Sequence, residues 1–138
     1  MGKITVCSNL RDTCCLARAF VAALKRRGGA VVLFDAPMGA GKTTFIRECV
    51  KALGARMAAT SPTFSIINNY GENLYHIDLY RVESAAELEN IGFYEIVSGA
   101  GFVFIEWAWK FSIEYPADAV RVKIDVKGDD SRVFDITC

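Results

Sequence analysis

The 138-residue sequence lacks several features that would assign it to a special class of protein. It has one histidine, and none of its five cysteines forms a C-x-x-C pair, which argues against a metal site of imidazole or thiolate ligands. No stretch approaches the about 18 consecutive apolar residues of a membrane span, and the amino terminus has no signal-peptide core. We therefore expect a cytoplasmic protein with reduced thiols and no membrane contact.

The sequence also lacks a charge bias, since 16 basic and 16 acidic residues cancel. A balanced surface argues against broad, sequence-independent binding to nucleic acid. The basic cluster at 25–27 is most simply a set of cations near a helix carboxyl terminus, and contact with RNA or a partner is the alternative. A hydrophobic content of 52% and the chain length predict one soluble domain over residues 1–138.

Residues 36–43 read Ala-Pro-Met-Gly-Ala-Gly-Lys-Thr, which is the phosphate-binding pattern G-x-x-x-x-G-K-[ST] with Ala36 in place of the first glycine. Gly39 and Gly41 allow the backbone to approach a phosphate group closely. Lys42 is suited to the β/γ oxygens of a nucleotide, and the Thr43 hydroxyl to Mg²⁺. The predicted nucleotide-binding residues in this loop are Met38, Gly39, Ala40, Gly41, Lys42, Thr43 and Thr44.

The flanking pattern supports this interpretation. Residues 30–34 form a short apolar run typical of a buried strand, and apolar residues from Phe45 to Leu53 recur at helical spacing until Gly54. A second helix is expected over 12–27, capped by Asp12 and ended by the glycine pair at 28–29. Its predicted inward side chains are Leu16, Ala19, Phe20, Ala23 and Leu24, and Cys15 and Cys49 are expected on apolar helix faces.

The other elements predict an α/β fold with a mixed sheet. A strand is expected at 1–6, and strands at 64–70 and 74–80 are joined as a hairpin through 71–73. The sequence Ser84-Ala85-Ala86-Glu87 is a capping box that opens a short helix to about Asn90, with Gly92 as its stop. A buried strand at 102–105 ends at Glu106. Strands at 120–126 and 131–137 form a carboxyl-terminal antiparallel hairpin.

Two carboxylates stand where strands are expected to end. Asp78 closes one strand, and Glu106 follows four apolar residues, the form of a second nucleotide motif that reaches Mg²⁺ directly or through water. The alternative for each residue is an acid at the end of a strand, in a solvated turn without a catalytic or metal-binding role. The segment 60–63 is hydroxyl-rich and is either a nucleotide-sensing switch or an ordinary Ser-Pro turn. His76 is either structural or a support for Asp78.

Together these residues resemble the TsaE (YjeE) family of small bacterial ATPases. The resemblance lies in residues 36–44, Ser61-Pro62-Thr63-Phe64, His76-Ile77-Asp78-Leu79-Tyr80-Arg81 and Ile105-Glu106-Trp107, in matching order and spacing. It implies a P-loop NTPase-like, three-layer α/β/α sandwich. It further implies a function in the threonylcarbamoyl modification of adenosine 37 in tRNA.

The resemblance implies a role for each matching residue. Lys42 and Thr43 would bind phosphate and Mg²⁺, and Thr63 would sense the nucleotide state. Asp78 would support Mg²⁺ or the attacking water, Glu106 would be the second-motif acid, and Trp107 would pack beside the nucleotide. The implied catalytic residues are Asp78, Glu106 and Thr63, and the implied Mg²⁺ ligands are Thr43, Glu106 and Asp78.

In this family the ATPase is weak alone and works with the TsaB–TsaD complex, so ATP, Mg²⁺ and that protein partner are implied, with tRNA contacted indirectly or weakly. The sequence departs from the family pattern at Ala36-Pro37 and at Ala108-Trp109. A small-molecule or nucleoside kinase shares the phosphate loop, but no segment has the length and arginine content of a kinase lid. A non-catalytic, nucleotide-responsive binding module is the other alternative.

Overall fold

The structure is a computed structural model, and it describes residues 2–37, 39–55, 66–71, 73–99 and 101–137. These ranges contain seven strands and four helices. The strands are β1 (Gly2–Cys7), β2 (Ala30–Asp35), β3 (Ile67–Asn69), β4 (Leu74–Asp78), β5 (Phe102–Glu106), β6 (Val120–Val126) and β7 (Arg132–Thr137). The helices are α1 (Leu10–Arg27), α2 (Lys42–Ala52), α3 (Ala85–Asn90) and α4 (Phe93–Val97).

The strands form one mixed sheet in the order β1-β7-β6-β2-β5-β4-β3. The central strands β6, β2, β5 and β4 are parallel, so their carboxyl ends meet at one edge. The outer pairs β3–β4, β6–β7 and β1–β7 are antiparallel. The mixed sheet and the antiparallel pairing of both predicted hairpins are therefore confirmed. Strand β3 is shorter than the strand predicted at 64–70, of which residues 64 and 65 lie outside the described residues. Strand β2, which precedes the phosphate loop, ends at the same edge of the sheet as β4 and β5, which end in Asp78 and Glu106.

Helices cover both faces of the central strands. Alternate residues of each strand point to opposite faces, so each face has its own hydrophobic core. On one face Val32 and Phe34 of β2 pack in a core that includes α1 and α2. On the other face Val31 and Leu33 pack in a second core that includes α3 and α4. The α/β/α layering that the family resemblance implies is confirmed, and it explains why β2 and β5, which are covered on both faces, are continuous apolar runs that end in an acid.

The phosphate-loop helix is fixed to the sheet by an aromatic cluster. The Phe45 ring, fully buried in the first turn of α2, lies with its centroid 5.0 Å from that of Phe134 and 5.6 Å from that of Phe20. Phe34 at 6.1 Å completes the cluster in an edge-on arrangement. Aromatic pairs at these separations favour tilted and edge-to-face packing. Lys42 and Thr43 are therefore on a helix whose position is fixed by β2, β7 and α1.

Helix α1 begins earlier than the sequence predicts, and its buried stripe is rotated. Asn9 is the cap, and its side chain accepts the Asp12 backbone N–H, whereas the Asp12 carboxylate accepts the Ser8 N–H. The buried residues are Thr13, Ala17, Phe20, Val21 and Leu24. The predictions that Ala19, Ala23 and Cys15 face inward are wrong, and all three are exposed, while Leu16 is half-buried and Cys49 is buried. Alanine occurs on both the buried and the exposed face of this helix, so the alanine positions do not indicate which face is buried.

Smaller differences have local causes. Strand β4 ends at Asp78, two residues before the predicted end, because the Asp78 carboxylate accepts the Tyr80 N–H and turns the chain. The α3 cap is Ser84, as predicted, but its side chain makes no capping bond, and Glu87 reaches back to the Glu83 N–H instead. Helix α4 was not predicted, since five residues are too few to show a helical period. In the described ranges no helix has the length and apolarity needed to cross a membrane.

Candidate nucleotide-binding site

The glycine-rich loop lies between the carboxyl end of β2 and the first turn of α2. Gly39 and Gly41 have φ of +78° and +94°, a region that residues with a Cβ rarely adopt. Among the described non-glycine residues only Asn73 and Trp107 have positive φ, so the position of Ala36 does not require glycine. The loop leads into the amino terminus of an 11-residue helix, where unpaired N–H groups and the helix dipole favour an anion.

Three charged or polar side chains meet below this loop. Lys42 Nζ lies 3.5 Å from Glu106 Oε1, and His76 Nε2 lies 2.6 Å from Glu106 Oε2. Lys42, His76 and Glu106 are 8%, 0% and 3% exposed, so the group is almost entirely removed from water. Both oxygens of the Glu106 carboxylate are thus engaged, which holds it in one orientation beside the phosphate-loop lysine.

The Glu106 carboxyl is kept ionised by these neighbours. Burial alone would raise its pKa, but the interactions with His76, followed by those with Lys42, outweigh burial and lower the pKa below the ordinary value. An ionised carboxylate only accepts hydrogen bonds, so Nε2 of His76 carries the proton in this pair. The His76 Nδ1 atom is buried and has no hydrogen-bond partner among the described residues. The imidazole therefore serves Glu106 rather than Asp78, contrary to the alternative considered from the sequence.

Asp78 occupies the neighbouring strand directly opposite Glu106, since the two residues are register partners of β4 and β5. Its surroundings raise its pKa, whereas those of Glu106 lower the pKa of that residue. Burial raises the Asp78 pKa, and the negative charge of Glu106 adds to the rise, while the hydrogen bond from the Tyr80 N–H opposes it. The sheet therefore presents two adjacent carboxyls of different acidity, which is a common arrangement in catalytic and metal-binding sites.

An open cavity of about 370 Å³ adjoins Lys42. Trp107 and Trp109 both line it, together with Tyr80 and Lys110. The Lys42 ammonium lies 5.4 Å from the centre of the Trp107 ring, within the range of a cation–π contact, and the Tyr80 ring stacks on Trp107 at 5.0 Å. Trp107 has a φ of +59°, so the chain turns sharply after β5 and directs both tryptophans to this cavity instead of the core.

The structure therefore brings Lys42, Glu106 and Trp107 into contact and places Asp78 beside them. Gly39, Ala40, Gly41, Thr43 and Thr44 form the loop and the first turn of α2. Met38 and the candidate switch Ser61-Pro62-Thr63 lie outside the described residues. The ligand roles of all these residues remain predictions. Arg132, which was not predicted, donates to the Ala40 carbonyl oxygen at 3.0 Å, and no local pattern marks a partner 92 residues away.

A glycine loop between a central parallel strand and a helix, with an acid at the end of the adjacent parallel strand, defines a P-loop NTPase-like protein. The chain belongs to the TsaE family, since the family model described as "Threonylcarbamoyl adenosine biosynthesis protein TsaE" matches residues 7–134. The family predicted from the sequence is thereby confirmed.

Individual relatives agree with this assignment. The chain is 37% identical over 112 residues to the tRNA threonylcarbamoyladenosine biosynthesis protein TsaE of Bacillus subtilis, covering 79% of this chain and 70% of the relative. It is 34% identical over 141 residues to the TsaE protein of Rickettsia bellii, covering 99% and 96%. The crystal structure of YdiB from Bacillus subtilis superposes with a TM-score of 0.77 at 28% identity, covering all of this chain and 86% of that one.

Proposed function

We propose that this protein binds and hydrolyses ATP as an accessory protein of the tRNA N6-threonylcarbamoyladenosine (t6A37) modification system. Hydrolysis would reset the TsaB–TsaD complex between turnovers, with tRNA contacted indirectly or weakly. Membership of the TsaE family supports the pathway. The observation that supports a nucleotide-hydrolysing site most directly is the 3.5 Å contact between the phosphate-loop Lys42 and the strand-end Glu106.

The first part of the proposal is triphosphate binding at the loop. Lys42 begins α2, so its ammonium and the helix amino terminus act on the same anion. The ammonium is held between the Glu106 carboxylate and the Trp107 ring, and it would exchange the carboxylate for an incoming phosphate. The open cavity beside Lys42 would give a ligand access to the ammonium.

The donor set also fits Mg²⁺. Asp78, Glu106 and the Thr43 hydroxyl are hard oxygen ligands, and no group of three or more His, Cys, Asp or Glu side chains in the described ranges forms a complete metal cage. Mg²⁺ commonly uses one or two carboxylates together with phosphate oxygens, which suits this incomplete set. When bound, Mg²⁺ would be held by these oxygens and would neutralise negative charge on the phosphates.

The carboxylates would then orient the nucleophile. Glu106 remains ionised and is held by His76, so it is prepared to accept a hydrogen bond from water. Asp78, the less acidic neighbour, is the second candidate for this role. The low solvent exposure of Glu106 strengthens each of these electrostatic interactions.

The test is phosphate release from ATP by the pure chain, with and without a TsaB–TsaD complex. We expect slow release alone and stimulation by the complex, and a loss of about 100-fold or more in Lys42→Ala and Glu106→Gln. Lys51→Ala, which removes an exposed lysine of the same helix, is the matched control. Transfer of phosphate to an added nucleoside or sugar would favour the kinase, and binding without turnover under every condition would favour the non-catalytic module.

A further inference from the structure

One guanidinium group links the phosphate loop to the carboxyl-terminal hairpin. Arg132, the first residue of β7, donates from Nε to the Ala40 carbonyl oxygen at 3.0 Å. Its Nη1 group lies 3.1 to 3.4 Å from the carbonyl oxygens of Gly128, Asp129 and Ser131 in the β6–β7 turn. A single half-buried side chain thus joins two loops at the same edge of the sheet.

The Ala40 carbonyl is a sensitive position within the phosphate loop. Ala40 is fully buried and stands between the two glycines with positive φ, where the backbone has the most freedom to rotate. In a trans peptide the carbonyl of one residue and the N–H of the next point in opposite directions. By holding the Ala40 carbonyl toward the hairpin, Arg132 therefore directs the Gly41 N–H away from the hairpin.

We propose that Arg132 is a positioning residue for phosphate binding, which acts by fixing the peptide plane between Ala40 and Gly41. This inference rests on the proposed function, because it assumes that the loop binds phosphate. Arg132 does not touch the phosphate itself in this mechanism. It holds the Gly41 N–H in one orientation before the ligand arrives, so that binding does not include the entropy cost of ordering that peptide.

A second role must be separated from this one by experiment. Arg132 also borders a smaller cavity of about 170 Å³ between the loop, the start of α1 and the β6–β7 turn. A nucleoside in that cavity would contact the guanidinium directly. Inorganic tripolyphosphate carries the phosphates of ATP without a nucleoside, so it distinguishes an effect on the loop from an effect on the nucleoside.

The experiment compares the wild-type chain with Arg132→Gln and Arg132→Lys. Binding of tripolyphosphate and of ATP, each with Mg²⁺, is measured by isothermal titration calorimetry, and unfolding in urea is measured without ligand. We expect Arg132→Gln to weaken both ligands by the same factor, about tenfold, because one charge-assisted hydrogen bond to the loop is lost. Arg132→Lys should lie between, since a single ammonium reaches the Ala40 carbonyl but cannot also hold the turn.

The matched control is Arg26→Gln, which removes an exposed arginine at the end of α1. The Lys variant also covers the case in which Arg132→Gln does not fold. Unchanged affinity for both ligands, even with a lower urea midpoint, would overturn the proposal and leave Arg132 as a brace for the hairpin. A loss for ATP but not for tripolyphosphate would overturn it in favour of nucleoside contact. If the wild-type chain binds neither ligand, the proposed function itself fails.

Discussion

Replacing Glu106 by glutamine tests the electrostatic design of the site without depending on turnover. The substitution keeps the shape and a carbonyl oxygen that can accept one hydrogen bond, but it removes the negative charge opposite Lys42. At a Nζ–Oε1 distance of 3.5 Å and an effective dielectric constant of about 20, the lost attraction is about 5 kcal/mol. Part of this loss of attraction is offset, because the variant no longer has to remove a charged carboxylate from water on folding.

We therefore expect Glu106→Gln to lower the free energy of unfolding of the ligand-free protein by about 2 to 3 kcal/mol, less than the usual cost of leaving a buried charge unpaired. With a urea m-value typical of a small protein, the midpoint should fall by about 1 to 2 M. The comparison variant is Glu89→Gln, at an exposed position of α3, which should leave the free energy of unfolding within about 0.5 kcal/mol of wild type.

Ligand binding should reverse the loss. In the variant the Lys42 ammonium has no carboxylate to compete with an incoming phosphate, so ATP without Mg²⁺ should bind at least as tightly as to the wild type. The urea midpoint of the variant should then rise at least as much on addition of ATP without Mg²⁺ as that of the wild type, since a ligand that binds the folded state adds a stability of RT ln(1 + [L]/Kd). A variant whose ligand-free stability equals that of the wild type would refute the reasoning, because Lys42 would then not depend on Glu106.

Two further predictions follow from single residues. Asp78→Asn should raise the urea midpoint at pH 7, because burial raises the pKa of Asp78 and its ionisation therefore costs stability as pH rises through the folded pKa. The gain should vanish below about pH 3.8, the ordinary pKa of an aspartate, where the carboxyl is protonated in both states. A pH series of urea melts in which the gain persisted in acid would contradict this. Gly101→Ala should lower the urea midpoint far more than Gly71→Ala. A Cβ at Gly101 would lie 2.2 Å from the Asn73 carbonyl oxygen, whereas Gly71 has open space and only the strain of positive φ. Equal decreases in the midpoint would show that positive φ alone causes the loss of stability.

The parts of this protein that the sequence predicts are those encoded by local pattern. The glycine loop, its lysine and the apolar strands on either side depend on neighbours within a few residues, and the structure has them where expected. The exact phase of α1 was wrong because Ala19 and Ala23 are too small to distinguish a buried face from an exposed one. The Asn9 cap was missed because Asp12, one turn later, carries an equally suitable oxygen.

The parts that the sequence could not predict depend on which strands become neighbours. The sequence suggested two acids at strand ends, but only the parallel pairing of β4 with β5 shows that Asp78 and Glu106 are opposite each other. The bond from His76 to Glu106 spans 30 residues, and that from Arg132 to Ala40 spans 92. Contacts between residues so far apart in the sequence cannot be predicted from the spacing of residue types, because they depend on the order of strands in the sheet.

The same strand pairing gives the two acids different electrostatic environments. Glu106 has two partners, His76 and Lys42, and stays ionised although it is buried. Burial raises the pKa of Asp78 and the charge of Glu106 adds to the rise, while one backbone hydrogen bond from the Tyr80 N–H opposes it. A group that must remain charged before ligand arrives needs fixed partners, whereas a group that responds to a cation or a phosphate needs a charge state that can still change. We therefore expect loss of Glu106 to destabilise the ligand-free protein, and loss of Asp78 to stabilise the ligand-free protein at pH 7 but to impair it when nucleotide is bound.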